Sequence, residues 1–133
     1  MSVELKPEAF RGWLEAYRKA WEERDPQIVV DLFSTDAAYR ESPFEEPIRG
    51  LDAILDYWAH VPKTQDQVRF DYEILAVSGE TGIVRWWASF QRIPTKVQVS
   101  LDGIMVVRFN AENQCVLFEE WWRRQERNRE NVK

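Results

Sequence analysis

The chain is poor in the residues that build covalent or metal-held scaffolds. It has one cysteine, Cys115, so neither an intrachain disulfide nor a cysteine-based metal site can form. Cys115 reads as a small strand residue. The single histidine, His60, has no clustered ligands around it and closes a predicted helix, where a capping role suits it. No apolar run approaches the length of about 18 residues that suggests a membrane span. The opening MSVELKPEAF lacks a basic, apolar leader. A soluble, cytoplasmic protein without membrane contact is expected. A phosphate loop, a nucleophile elbow and a dinucleotide fingerprint are also missing, so no cofactor is expected.

Positive charge is in the minority. Lys and Arg number 18 against 23 Asp and Glu, a net charge of −5, which argues against nucleic acid as the main partner. The run from Arg123 to Lys133 is locally basic, but Glu126 and Glu130 interrupt it, and it reads as a solvated, frayed end.

Aromatic residues are plentiful: seven Trp, seven Phe and four Tyr. That much ring area can fill a core and still line a cavity or an interface. The 133 residues suit one domain over 1–133.

Periodicity sets the element order. Pro7 and Glu8 suit a helix start. Phe10, Trp13, Leu14, Tyr17, Ala20 and Trp21 then recur at spacings of three and four, predicting a helix to about Arg24. Asp25-Pro26 caps a second helix with Ile28, Val29, Leu32 and Phe33 on its stripe. The stretch from Leu32 to Gly50, LFSTDAAYRESPFEEPIRG, is the pivot of the chain. It predicts a turn at Ser34–Asp36, a short strand Ala37–Arg40 and a proline-bounded acidic loop. Gly50 opens a third helix with Leu51, Ile54, Leu55 and Trp58 on one face, stopped by Val61-Pro62. From Asp66 the period becomes two. Strands are predicted to begin at Asp66, Ile83, Val97 and Cys115, the last running to about Arg124. Tight turns make neighbouring strands antiparallel, and one sheet face packs on the helices, which gives an α+β domain.

Three segments carry a resemblance: AYRKAWEERDPQIVVDLFSTDAAYRESP, RGLDAILDYW and LDGIMVVRFNAENQ. Over nearly its whole length the chain resembles the nuclear transport factor 2-like superfamily, also called SnoaL-like or ketosteroid-isomerase-like, and within it an uncharacterised bacterial branch. That fold hosts isomerases, dehydratases, cyclases, epoxide hydrolases and non-enzymatic binding proteins, so it does not fix chemistry. The resemblance implies a cone, with a curved, mostly antiparallel sheet wrapped around three N-terminal helices and a pocket at the open end. It places Tyr17 where ketosteroid isomerase has its oxyanion-hole tyrosine and Glu41 where it has its general base. Met105 falls where that enzyme's second oxyanion donor, a protonated aspartate, stands, so half of the oxyanion hole is missing here.

Alternation then sorts the strands. The resemblance makes the faces holding Trp86, Phe90, Met105, Phe118, Glu120 and Trp122 concave. Glu120 thereby lands among aromatics, where a lone charge is expensive. Arg40, Arg49 or a helix residue is the expected partner if its role is structural. If functional, desolvation raises its pKa toward the range of proton shuttling. The opposite face carries Arg85, Trp87, Asp102, Glu119, Trp121 and Arg123, a mixture that suits a homodimer interface on the convex side. An epoxide hydrolase would need an Asp-Arg-Asp cluster on the concave face, and Arg85 and Asp102 have the wrong parity for it.

Two functions stay open. The first is a small-molecule-binding domain whose aromatic-lined pocket takes an apolar ligand, with Tyr39, Trp58, Trp86, Phe90, Met105, Phe118 and Trp122 as its lining. The second is a cofactor-free isomerase, dehydratase or cyclase, with Glu41 as general base, Tyr17 as oxyanion donor and Glu120 as second acid.

Overall fold

The computed structural model describes residues 4–127. Helix α1 (Pro7–Glu22) follows the predicted stripe, burying Phe10, Trp13, Leu14, Tyr17, Ala20 and Trp21. Glu8 sits in its first turn and Lys19 in its last, each complementing the helix dipole. Arg24 ends the segment in the left-handed region, at φ 54°. Asp25 then caps α2 (Pro26–Val29) by accepting the Gln27 N–H at 3.0 Å.

Helix α2 is a single turn, shorter than its apolar stripe predicts. Phe33 already belongs to strand β1 (Phe33–Arg40), because pairing with the last strand wins over helical spacing. Phe33 pairs with Cys115, and the Cys115 N–H bonds the Leu32 carbonyl at 2.8 Å. The predicted turn at Ser34–Asp36 is an irregular stretch within this strand, where the register shifts between Phe33 and Ala38 and the Ser34 hydroxyl bonds Asp36 at 2.9 Å. A two-residue strand, β2 (Ile48–Arg49), pairs antiparallel with β1 and was not evident from composition. Gly50, at φ 89°, gives its N–H to the Ala37 carbonyl and opens α3 (Leu51–Trp58). Val61-Pro62 ends α3 as expected, yet the proline also suits the first turn of a short helix, α4 (Val61–Thr64).

The long strands are β3 (Gln65–Ser78), β4 (Thr81–Arg92), β5 (Gln98–Phe109) and β6 (Cys115–Arg127). The sheet order is β2-β1-β6-β5-β4-β3. Among the described residues only β1 and β6 run parallel, since the chain returns to its first strand after an excursion through β2, two helices and the strands β3, β4 and β5. The protein is α+β with a six-stranded mixed sheet, as the periodicity predicts in outline. The basic end is a correction. Arg123 to Arg127 are not frayed but paired with Asp102 back to Gln98, because β5 extends far enough to offer them partners. Residues 128–133, the rest of that run, lie outside the described residues.

One sheet face carries the core. Trp13 stacks on Tyr17, Tyr17 on Phe118, and Trp21 leans on Phe70 and Trp86. Cys115 is fully buried, and burial pushes its thiol well above the usual range, in keeping with an inert strand residue. Among the described residues no helix is long and apolar enough to cross a membrane.

Candidate functional site

Rows of side chains cross the inner sheet face in register. Val84, Met105 and Glu120 form one row; Trp86, Gly103 and Trp122 the next; then Ala88, Leu101 and Arg124; then Phe90, Val99 and Glu126. A cavity of about 230 Å³ opens over these rows. Helix α1 contributes Tyr17 and Trp21 to it, β1 and its following loop Tyr39 and Glu41, and α3 Tyr57 and Trp58.

The structure brings Tyr17, Glu41 and Glu120 together on this cavity, along with Tyr39, Trp58, Trp86, Phe90 and Trp122. Met105 and Phe118 do not line it, although the resemblance places both on the concave face and makes them candidate lining. Both are fully buried behind the wall. Phe118 is covered by rings on both sides, stacked 4.4 Å from Tyr39 and 5.8 Å from Tyr17. It therefore orients two tyrosines without reaching the space they enclose.

Among the described residues Glu120 has no cationic partner, contrary to the structural expectation. Strand parity explains this. Arg40 is in register with Glu119 on the opposite face and approaches it at 3.4 Å, while its other bonds go to the carbonyls of Pro43 and Glu45. Among the described residues Arg49 forms no ion pair. Glu120 is 6% exposed, and among the described residues its Oε2 has no hydrogen-bond partner. Burial pushes its carboxyl well above the usual range, and the neighbouring charge of Glu41 adds to the rise.

The tyrosines respond to the same field. Burial lifts the Tyr17 hydroxyl well above the ordinary phenol value, Glu120 lifts it further, and the Tyr39 hydroxyl works the other way. Burial also raises Tyr39, with Tyr17 next in effect, and it raises Tyr57, where Glu41 adds to it. All three are neutral donors at physiological pH. The indole N–H groups of Trp58 and Trp86 are buried without partners among the described residues, so they add two unused donors to the walls.

Glu41 is half-buried at the end of β1, and its backbone carbonyl accepts the Trp122 indole N–H at 2.9 Å. Among the described residues no cation lies within ion-pair distance of its carboxylate, so neither Arg40 nor Arg49 ties it down.

Several lining residues escaped sequence reading. Trp21 was counted as core, and Tyr57 sits beside the apolar stripe of α3 rather than on it. His60, Val61 and Thr64 come from the α3–β3 connection, and Gln65 from the start of β3. His60 stands at the cavity rim as well as near a helix end. Arg92 and Arg124 had a legible signal: they continue the alternations Trp86-Ala88-Phe90 and Phe118-Glu120-Trp122 by one more step. No group of three or more His, Cys, Asp or Glu among the described residues is arranged to hold a metal ion.

The family model of the SnoaL-like domain matches residues 14–117. No curated protein matches the sequence. Among solved structures, TsrD from Streptomyces laurentii is similar at 16% identity, covering 90% of this chain and 91% of that one with a TM-score of 0.74. A putative isomerase from Bacillus subtilis is similar at 21% identity, covering 86% and 88% with a TM-score of 0.73. The epoxide hydrolase/cyclase-like enzyme SalBIII, of pyran ring formation in salinomycin, is similar at 17% identity, covering 85% and 89% with a TM-score of 0.74. These likenesses are of fold.

Proposed function

Because this chain belongs to the SnoaL-like domain family, whose fold leaves chemistry open, we propose from its own site residues that it moves a proton on a largely apolar small molecule. Residues 1–133 form one such domain in this reading. The ligand lies against Trp58, Trp86, Phe90 and Trp122. Glu41 takes a proton from a carbon next to a carbonyl group. The electron pair shifts onto the carbonyl oxygen, where the Tyr17 hydroxyl and the neutral carboxyl of Glu120 donate hydrogen bonds to it. Return of the proton to a different carbon makes an isomerase; its delivery to a β-hydroxyl that leaves as water makes a dehydratase. A cyclase would instead have Glu41 take the proton of an internal hydroxyl while its oxygen adds to the β-carbon of a conjugated carbonyl, breaking the C=C π bond to give the same oxyanion, and then return the proton to the α-carbon.

The observation that carries this reading is Glu120: buried and, among the described residues, without a cation and with a carboxyl oxygen left unpartnered. A structural carboxylate has no reason to remain in that state, because an unpaired buried polar group costs about 1–3 kcal/mol. Its position also supports the oxyanion role. Met105 cannot donate a hydrogen bond, but Glu120 is its direct cross-strand partner. A donor lost from β5 is thus available from β6.

The test is a series of substituted phenols of falling pKa, titrated by tryptophan fluorescence, together with deuterium exchange into planar ketones. Affinity that rises as the phenol pKa falls, and loses this trend in Tyr17→Phe, supports an oxyanion site. Glu41→Gln should abolish exchange while leaving affinity within about tenfold, since the amide keeps the shape but cannot accept the proton. Ligand binding that ignores both substitutions means a pocket that binds without chemistry.

The outer sheet face forms a homodimer in this reading. The half-exposed Trp121 and the Arg85–Asp102 pair on that face support it.

A further inference from the structure

The charged groups of the cavity are segregated along β6. Glu120 is buried, whereas Arg124, on the same strand face, keeps 49% of its side chain exposed. Four residues of strand separate them, about 13 Å at 3.3–3.4 Å per residue. Arg92 ends β4 at the same side as Arg124, with its guanidinium 5.8 Å from the ring of Phe90, a cavity wall. Both arginines border the cavity. One carboxylate serves them both: Glu126 lies 2.7 Å from Arg92 and 3.9 Å from Arg124. Two cations against one anion leave a net positive charge at the mouth, over an aromatic interior that ends in two carboxyl groups.

We propose that Arg92 and Arg124 select ligands that carry a carboxylate tail, held at the mouth while the apolar ring system enters toward Glu120. The inference rests on the pocket reading above and adds a substrate class to it: an amphipathic acid whose reacting end and anion are separated by roughly 10–13 Å, the span set by the strand rise. Arginine suits this role, since its planar fork pairs with a carboxylate by two parallel hydrogen bonds. The ligand anion occupies the second cation of the Arg92–Glu126–Arg124 group, so Glu126 weakens binding while holding the arginines in place.

The probes are ω-(6-hydroxy-2-naphthyl)alkanoic acids of increasing chain length and their primary amides, titrated by calorimetry on the full chain. At the best length the acid should bind about tenfold more tightly than the amide, the worth of one charge-assisted contact. Arg92→Gln/Arg124→Gln should erase that difference. Glu126→Gln should widen it several-fold, a change of opposite sign that loss of folding cannot mimic. Added salt should narrow it. Equal affinity of acid and amide in the unsubstituted protein overturns the tail inference and leaves the ring pocket standing. Discrimination that survives the double substitution also overturns it. Binding of neither probe by the folded protein overturns the ring pocket, and this inference with it.

Discussion

Trp122 donates its indole N–H to the backbone carbonyl of Glu41 at 2.9 Å, a bond between residues 81 positions apart. It ties the irregular loop after β1 to the sheet at the place where the proposed base sits. Trp122→Phe keeps an aromatic wall and removes the bond. Stability should fall by about 1 kcal/mol, the usual worth of one such hydrogen bond. Turnover should fall further than that figure implies, because a base displaced by an ångström loses its reach. Urea melts and single-turnover rates read the two effects. Unchanged turnover beside the stability loss would show that the bond serves only the loop.

Glu120 makes stability depend on pH in a defined direction. Its carboxyl titrates well above the usual range in the folded protein, owing to burial and then to Glu41. The folded state therefore holds a proton that the unfolded chain releases near the ordinary carboxylate value. The stability present below that value is lost as pH rises toward the raised one, by up to about 1.4 kcal/mol per pH unit for one proton. Glu120→Gln does not titrate and should escape this loss. Its stability relative to the natural chain should rise in denaturant melts as pH climbs above the ordinary carboxylate range. Parallel profiles would mean that Glu120 titrates normally and is no neutral donor.

Gly103 lies between Trp86 and Trp122 in its cross-strand row. A Cβ there would come within 2.5 Å of the Trp121 carbonyl oxygen and 2.8 Å of the Trp122 Cβ. Backbone on the neighbouring strand cannot swing aside as a flexible side chain can. Gly103→Ala should cost about 1–3 kcal/mol, the range of overpacking in a close-packed interior. It should also push Trp122 off Glu41. Equilibrium unfolding checks the first effect and tryptophan fluorescence the second. A variant as stable as the parent would show that β5 and β6 separate easily here.

Much of this site is legible as parity. Alternation put Glu120 on one face and Arg85, Asp102 and Trp121 on the other, because the side-chain period of a strand is two, and the family resemblance chose which of the two faces points inward. The same rule does not distinguish lining from packing. Met105 and Phe118 share the inner face with Trp86 and Trp122, yet both are fully buried, Phe118 against stacked rings, and only three-dimensional packing decides that. The end of α2 was illegible for a related reason. Ile28, Val29, Leu32 and Phe33 fit a helical stripe, but Phe33 gains a strand partner 82 residues later in sequence, and a local pattern cannot register it. A structural role for Glu120 calls for Arg40, Arg49 or a helix residue as its partner; Arg40 goes to Glu119 because cross-strand register, not chain proximity, chooses the partner. Arg92 and Arg124 were within reach of the alternation, had the strands been carried one step further.

The outer sheet face sets the last prediction. Trp121 is 44% exposed there, opposite Ile104, and Arg85 pairs with Asp102 at 2.9 Å while lying 4.7 Å over the ring of Trp87. Exposed ion pairs of this kind contribute little as they stand, under about 1 kcal/mol each. Their worth rises once water is excluded, and tryptophan is the residue most often found at the energetic centre of an interface. A second copy of the chain fits, since the same face supplies both signs of charge and the apolar rings to itself. Light scattering should therefore return about twice the chain mass of 15.9 kDa at micromolar concentration. Trp121→Glu places an unpaired charge at the centre of that contact and should give a folded monomer, with the ligand pocket on the other face of the sheet still able to bind. A natural chain that is monomeric at those concentrations would remove the dimer and leave Trp121 as ordinary exposed surface.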